Sequence, residues 1–337
     1  MKSPITGKEM KVMVKKDTID FRKEPFEILH HYYLDEDTGE IFTDETFDTL
    51  NLNQAYNQYR ERYKIPFPDA IRDIREKYGL SAAKMADVLG FGTNVYRQYE
   101  AGEVPSISNA RLIELVKDPS EFKKLTLLSG VFNEKEHPDF FENLDRLIKE
   151  KWSFADTALP HYLMHGIGTD GPGIYTGYKT PSLQKLIEMI IFFTENVRPW
   201  KTKMNKLLFY ADFLHYKKTC FSISGAEYVA INLGPVPQNF NSIFEYAAIK
   251  DKIYITYQEF SNGGVGEFFS PNKNRPFNAE LFEVSELAIL KIIADTFKDT
   301  KTQEMIDLSH EEPAWLENIS EMKKIKYDYA FTLKHVT

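Results

Sequence analysis

Residues 80–102 read LSAAKMADVLGFGTNVYRQYEAG, and the organisation of the chain is worked out from them. Ser81 has the chemistry of an N-cap. Met85, Ala86 and Leu89 follow at the spacing of one helix face, and the small Ala86 lets a second helix cross closely. Gly90 stops that helix where the backbone takes a positive φ, Phe91-Gly92 make the turn, and Thr93 is expected to cap a second helix. There Tyr96 and Tyr99 point inward, Gly102 closes the helix, and Asn94, Arg97 and Gln98 face out. This is the pattern of a helix-turn-helix, whose second helix enters the major groove with its N-terminal residues leading. Asn and Gln pair bidentately with adenine and Arg with guanine, so the outward side chains suit base reading. With Ser81, Lys84 and Thr93 they form the expected DNA-binding set.

Around this motif the balance of charge is even. Residues 66–111 carry six Lys/Arg and six Asp/Glu, so counterion release contributes little and one copy should bind weakly. A homodimer over two half-sites is the expected remedy, with helices near Glu121–Leu128 or 139–149 as its surface. Further out, the whole chain has 337 residues and a charge of 42 − 50 = −8, which argues against nonspecific coating of nucleic acid. With 42 % hydrophobic and 14 % aromatic residues it can build packed cores in two or three domains. A single cysteine, Cys220, excludes a disulfide framework and a four-Cys zinc site and fits a reducing cytoplasm. No apolar run nears the roughly 20 residues that span a bilayer, and MKSPITGKEM lacks a leader's apolar stretch, so a cytoplasmic protein without a membrane partner is expected.

The expected fold class is α+β, mainly helical. Residues 1–65 read as a small β module: Met10, Val12 and Val14 alternate, as do Phe26, Ile28, Tyr32 and Leu34, with turns at Pro25 and Asp37-Thr38-Gly39. Met10, Phe26, Ile28, Tyr32 and Phe42 would form its core. Residues 66–150 carry the helix-turn-helix bundle. Residues 151–182, ending in HYLMHGIGTDGPGIYTGYKTPS (161–182), read as a connector. Residues 183–337 read as a mostly helical domain with a small β element. In it, 201–218 is expected to be an amphipathic helix with the stripe Met204, Leu207, Leu208, Ala211 and Leu214, beside a central helix over Leu183–Val197. The loop Gly234-Pro235-Val236-Pro237 is stiff and serves equally well as a structural turn or a preorganised contact surface.

Catalytic groupings are weak. Asp212 and His215 stand three residues apart, and His310 precedes Glu311 and Glu312, but neither set has partners fixed by spacing. No phosphate loop, zinc-protease helix or nucleophile elbow occurs, and a lone Cys220 is usually inert. The chain is not expected to be an enzyme, and no cofactor or metal is expected.

Two resemblances sharpen this reading. Residues 1–130 resemble the MqsA-type antitoxin family, which joins a zinc-ribbon-like module to a Cro/repressor-type helix-turn-helix. Residues 80–102 match that motif without a gap. Asn94 stands at the family's base-reading asparagine; Gln98 stands at its arginine, with Arg97 one residue before. The ribbon's cysteine positions are Ser3, Thr6, Asp35 and Thr38, which cannot grip zinc as thiolates do. Residues 183–337 resemble the Panacea (SocA-like) domain through Lys206-Leu207-Leu208-Phe209-Tyr210-Ala211-Asp212, Gly234-Pro235-Val236-Pro237, and Ser309-His310 with Trp315. That resemblance implies toxin neutralisation by direct binding, with Lys206, Tyr210, Gly234, Pro235, Val236, Pro237, His310 and Trp315 as the contact set. The expected function is thus an antitoxin of a type II toxin–antitoxin system that binds operator DNA, represses its own operon and occupies a cognate protein toxin. The alternatives are a phage or mobile-element repressor and an adaptor that delivers a toxin to a protease.

Overall fold

A long hairpin opens the chain. β1 (Lys11–Phe21) pairs antiparallel with β2 (Glu24–Leu34) from Lys11↔Leu34 to Phe21↔Glu24, and β3 (Ile41–Phe42) adds to β2 at Tyr33 and Leu34. The computed structural model describes residues 1–150, 159–160, 162–164, 171–259 and 264–337. Helix accounts for 51 % of the described residues and strand for 16 %, which makes it the mainly helical α+β chain expected from the sequence. It divides into two compact units, Met1–Phe154 and Ala155–Thr337.

In the first unit the buried alternation lies in β2, through Phe26 and Ile28. Val12 and Val14 of β1 are exposed, Met10 is buried, and Tyr32 and Phe42, expected in the core, are half-buried. A second departure is larger. Within the stretch read as β, residues 45–63 form helix α1 (Glu45–Tyr63), capped by the Asp44 carboxylate, which accepts from Phe47 N at 2.9 Å. Its inward face carries Asn51 and Gln54, whose amides bond the backbone of β2. Asn51 accepts from His31 N (2.9 Å) and donates to His31 O (3.0 Å); Gln54 accepts from Leu29 N (2.8 Å) and donates to Leu29 O (2.9 Å). Alternate residues of a strand point their amide groups to the same side, so two side-chain amides one helical turn apart replace a missing strand.

The helices α2 (Pro68–Lys77), α3 (Ala82–Leu89), α4 (Val95–Glu100), α5 (Ile107–Leu115), α6 (Pro119–Ser129) and α7 (Pro138–Glu150) follow. Their shared core includes Ile71, Met85, Ala86, Tyr96, Ile113, Phe122 and Leu144. Tyr78 stacks on Phe122 at 3.8 Å and donates to Val116 O.

The second unit is built round α9 (Lys201–Thr219), buried on every side from Lys203 to Tyr216. It is therefore the central helix, where the sequence suggested a one-sided stripe. Against it pack α8 (Leu183–Asn196), α11 (Val284–Phe297) and α12 (Thr302–His310), and the unit also holds α10 (Phe240–Ile249) and the short α13 (Pro313–Leu316). A small sheet has the order β5-β4-β8, from β4 (Tyr228–Ile231), β5 (Gly234–Pro237) and β8 (Lys324–Ile325). A separate hairpin joins β6 (Ile253–Glu259) to β7 (Val265–Pro271); residues 260–263 between them lie outside the described residues.

Of the expected connector, residues 151–158, 161 and 165–170 also lie outside the described residues. Residues 171–182 are not a connector. Thr176 and Tyr178 are buried, Ser222 N donates to Gly177 O at 2.9 Å, and Tyr327 N donates to Ile174 O at 3.1 Å. Gly177 is held so close to Ser222 that a Cβ would lie 2.6 Å from the serine Cβ. A segment rich in Gly and Pro can belong to a core when its backbone must approach another chain segment closely.

Candidate nucleic-acid interface and the antitoxin-like domain

α3 and α4 are set by local chemistry. The Ser81 hydroxyl accepts from Lys84 N at 3.2 Å, and Gly90 adopts φ 70° at the C-terminal end of α3. Thr93 does not cap α4. Asn94 takes that position, its side chain making no capping bond, and the turn is closed by Val95 N donating to Gly92 O at 2.9 Å. The carboxamide of Asn94 is thereby left at the leading end of the helix.

Tyr96 and Tyr99 are buried, as their spacing required, while Thr93, Asn94, Arg97 and Gln98 are exposed. The Tyr96 hydroxyl donates to Ile71 O at 2.8 Å, locking α4 onto α2 from beneath. Arg75 ties the far end: its Nε meets Glu100 Oε1 at 2.5 Å and its Nη1 donates to Leu80 O at 3.0 Å. The hydrogen-bonded Glu100 carboxylate raises the Arg75 pKa further above its ordinary value. No hydrogen bond or ion pair holds the side chains of Asn94, Arg97 or Gln98 among the described residues. Lys84 is exposed and its ammonium lies 5.9 Å from the Phe132 ring. Helix direction and outward chemistry therefore fit a major-groove reader.

Ser3, Thr6, Asp35 and Thr38 come together round one carboxylate. Ser3 Oγ donates to Asp35 Oδ2 at 2.5 Å and Thr6 Oγ1 donates to the same oxygen at 2.9 Å; Asp37 N and Thr38 N donate to Asp35 Oδ1 at 3.0 and 3.3 Å. Ser3 Oγ also accepts from Ile5 N and Thr6 N, both at 3.1 Å. One carboxylate thus crosslinks the two knuckles, and the Ser3 hydroxyl and its fellow donors hold its pKa below the usual carboxylate value. No cluster of three or more His, Cys, Asp or Glu arranged for a metal occurs among the described residues.

In the second unit the expected contact set divides in two. Lys206, Tyr210, Gly234, Pro235, Val236 and Pro237 are buried and lie beneath the surface. Lys206 Nζ donates to Pro235 O at 2.9 Å, and burial pulls its pKa down to about 7. Gly234 has φ 99°, and a Cβ there would strike Ser309 Oγ and come within 2.7 Å of Lys206 Nζ. The Tyr210 hydroxyl donates to Glu312 Oε1 at 3.2 Å. His310 and Trp315 remain half-exposed. Their rings stack at 3.8 Å and the indole Nε1 donates to Ile231 O at 2.8 Å, which seats the β4–β5 tip beside them. Leu233 on that tip is 51 % exposed and Leu316 is 52 % exposed. This apolar edge had no periodic signal in the sequence, because each residue sits on a separate short segment.

The possible catalytic groups are otherwise engaged. Asp212 accepts from Ile223 N, Ser224 N, Ser224 Oγ and Tyr228 OH, and His215 faces Phe221 O and Ser285 Oγ instead of Asp212. Burial lowers the His215 pKa to about 4 and raises that of Cys220.

The first unit thus holds a helix-turn-helix bundle with an outward polar face, and the second is a separate α+β domain of the same chain. Residues 71–116 match the helix-turn-helix family model, and residues 204–316 match that of the antitoxin SocA-like, Panacea domain. Both matching families are regulatory. A provisionally named HTH-type transcriptional regulatory protein of Pyrococcus furiosus is 36 % identical over 90 residues, a stretch covering 23 % of this chain and 28 % of that protein. No solved structure matches the chain. No helix among the described residues is long and apolar enough to cross a membrane.

Proposed function

We propose that the protein is a cytoplasmic, non-enzymatic antitoxin of a type II toxin–antitoxin system. Its first unit reads operator DNA through Asn94, Arg97 and Gln98 and represses its own operon. Its second unit occupies a protein toxin. The observation that carries the reading is the set of unengaged Asn94, Arg97 and Gln98 side chains on a helix whose other face is locked into the core, in a chain that also matches the antitoxin SocA-like, Panacea domain. Ser81, Lys84 and Thr93 stand at the edge of that face for phosphate contacts.

The near-neutral motif calls for a homodimer, and α6 supports one by exposing Leu127 (48 %) and Leu128 (82 %). For the toxin, His310, Trp315, Leu233 and Leu316 make up the contact edge, and the buried Lys206–Gly234–Pro237 group supports it from below. An aromatic anchor flanked by apolar side chains is the usual composition of an interface centre. The ribbon-like module without cysteines is an MqsA-type ribbon whose metal has been replaced by Asp35. The deciding experiment is enrichment of duplexes from a randomised pool by the full chain. A recovered consensus with two symmetric half-sites supports the DNA-reading half, and failure to enrich any sequence removes it.

A further inference from the structure

We infer that Arg22 and Arg60 are positioning residues for base reading: rooted in the N-terminal module, they fix the carbonyl groups just beyond α4 and so set the direction in which Asn94, Arg97 and Gln98 are presented. The inference rests on the DNA-reading half of the proposed function. Arg22 donates from Nη2 to Val104 O at 2.6 Å and from Nη1 to Pro105 O at 2.9 Å. Arg60 donates from Nη2 to Gly102 O at 2.5 Å and from Nη1 to Asn57 Oδ1 at 2.9 Å. Three carbonyls within four residues are thereby held by two guanidinium groups. α4 itself has only six residues, too few to keep a direction by its own hydrogen bonds.

Two features show that the chain accepts a cost to make this clamp. Arg60 is fully buried with no carboxylate bonded to it among the described residues, and burial lowers its pKa to about 10. Arg22 and Lys23 occupy a two-residue hairpin turn with φ 50° and 68°, where Asn-Gly would relieve the strain. Strained backbone of this kind persists where the surroundings over-determine it, often at functional sites. Here the strained turn delivers the Arg22 guanidinium, stacked 5.1 Å from both Phe21 and Tyr59, onto the segment after the recognition helix. Packing reinforces the link, since Val104 and Ala110 share one core with Phe26, Ile28, Ala55, Tyr59 and Ile65.

The test uses the full chain, a duplex enriched from a random pool by the wild-type protein, and a scrambled duplex. The double variant Arg22→Asn/Lys23→Gly gives the turn its preferred sequence and removes the Arg22 half of the clamp. Its melting temperature should equal or exceed that of the wild type, while affinity for the enriched duplex falls about tenfold. Affinity for the scrambled duplex should stay within about twofold, with an unchanged salt slope. Arg22→Lys, which keeps the charge but not the forked donors, should recover only part of the loss. Unchanged affinity for the enriched duplex in a folded double variant would overturn the inference. So would equal loss on both duplexes with a salt slope shallower by about one, or full recovery by Arg22→Lys, because either makes Arg22 a phosphate contact. If the wild-type chain enriches no sequence, the DNA reading fails first and takes this inference with it.

Discussion

Asn94 is the residue on which the DNA-reading account is most exposed to test. Its carboxamide is solvent-facing and makes no capping bond, so replacing it removes a base contact without removing a helix cap. Asn94→Ala should cost about 1–3 kcal/mol against the enriched duplex and leave the melting temperature unchanged; equal retardation of both proteins on a gel would exclude it from readout. Asp35 gives a second test, by pH. Its folded pKa is depressed by the Ser3 hydroxyl and the other donors, so its contribution is present above the ordinary carboxylate pKa and is lost as pH falls through the lowered folded value. An acid titration followed by circular dichroism should show the wild type losing stability in that range relative to neutral pH, and Asp35→Asn should lack this component. Superimposable profiles would mean that the carboxylate does not link the knuckles. The family resemblance singled out Ser3, Thr6, Asp35 and Thr38, but as positions that cannot grip zinc. That two hydroxyl and two amide groups would converge on one carboxylate depends on long-range geometry.

At the scale of elements, the helix-turn-helix was legible because each of its signals is local. Ser81 caps, Gly90 takes positive φ, and Tyr96 and Tyr99 mark the buried face three residues apart. Gly90→Ala should therefore destabilise the first unit by about 1 kcal/mol through backbone strain alone, since no atom lies within 4 Å of the new methyl; thermal melting checks this. Gly234→Ala is a different case. The added carbon meets Ser309 and Lys206 inside a filled core, so a loss of about 1–3 kcal/mol or more is expected, seen as a clearly lowered melting temperature of the second unit. α1 escaped the sequence reading because its buried face is polar: Asn51, Gln54, Asn57 and Arg60 erase the apolar stripe that marks a helix. α9 was misread for the same reason. Its buried Lys203, Lys206 and Asp212 look like a solvated face, yet Lys203 Nζ donates to Lys298 O and Thr300 O, Lys206 Nζ to Pro235 O, and Asp212 accepts four bonds.

For the whole molecule, the order of its parts was readable but the boundary between them was not. Composition placed a connector at 151–182, whereas residues 171–182 pack under Ser222 and Tyr327. A fragment starting at residue 180 therefore loses Thr176 and Tyr178 from its core and should be poorly folded, while a fragment of residues 155–337 should melt cooperatively. Of the eight residues expected to form the contact set, six are buried, His310 and Trp315 are half-exposed, and the proposed edge adds Leu233 and Leu316 to those two. The most direct test of the two-part account expresses residues 155–337 in cells that also make the product of the gene adjacent to this one. Restored growth, with that product retained on the tagged fragment and both effects lost in a folded Trp315→Ala variant, is the predicted result; continued arrest with no retained product, while the fragment is folded, contradicts it.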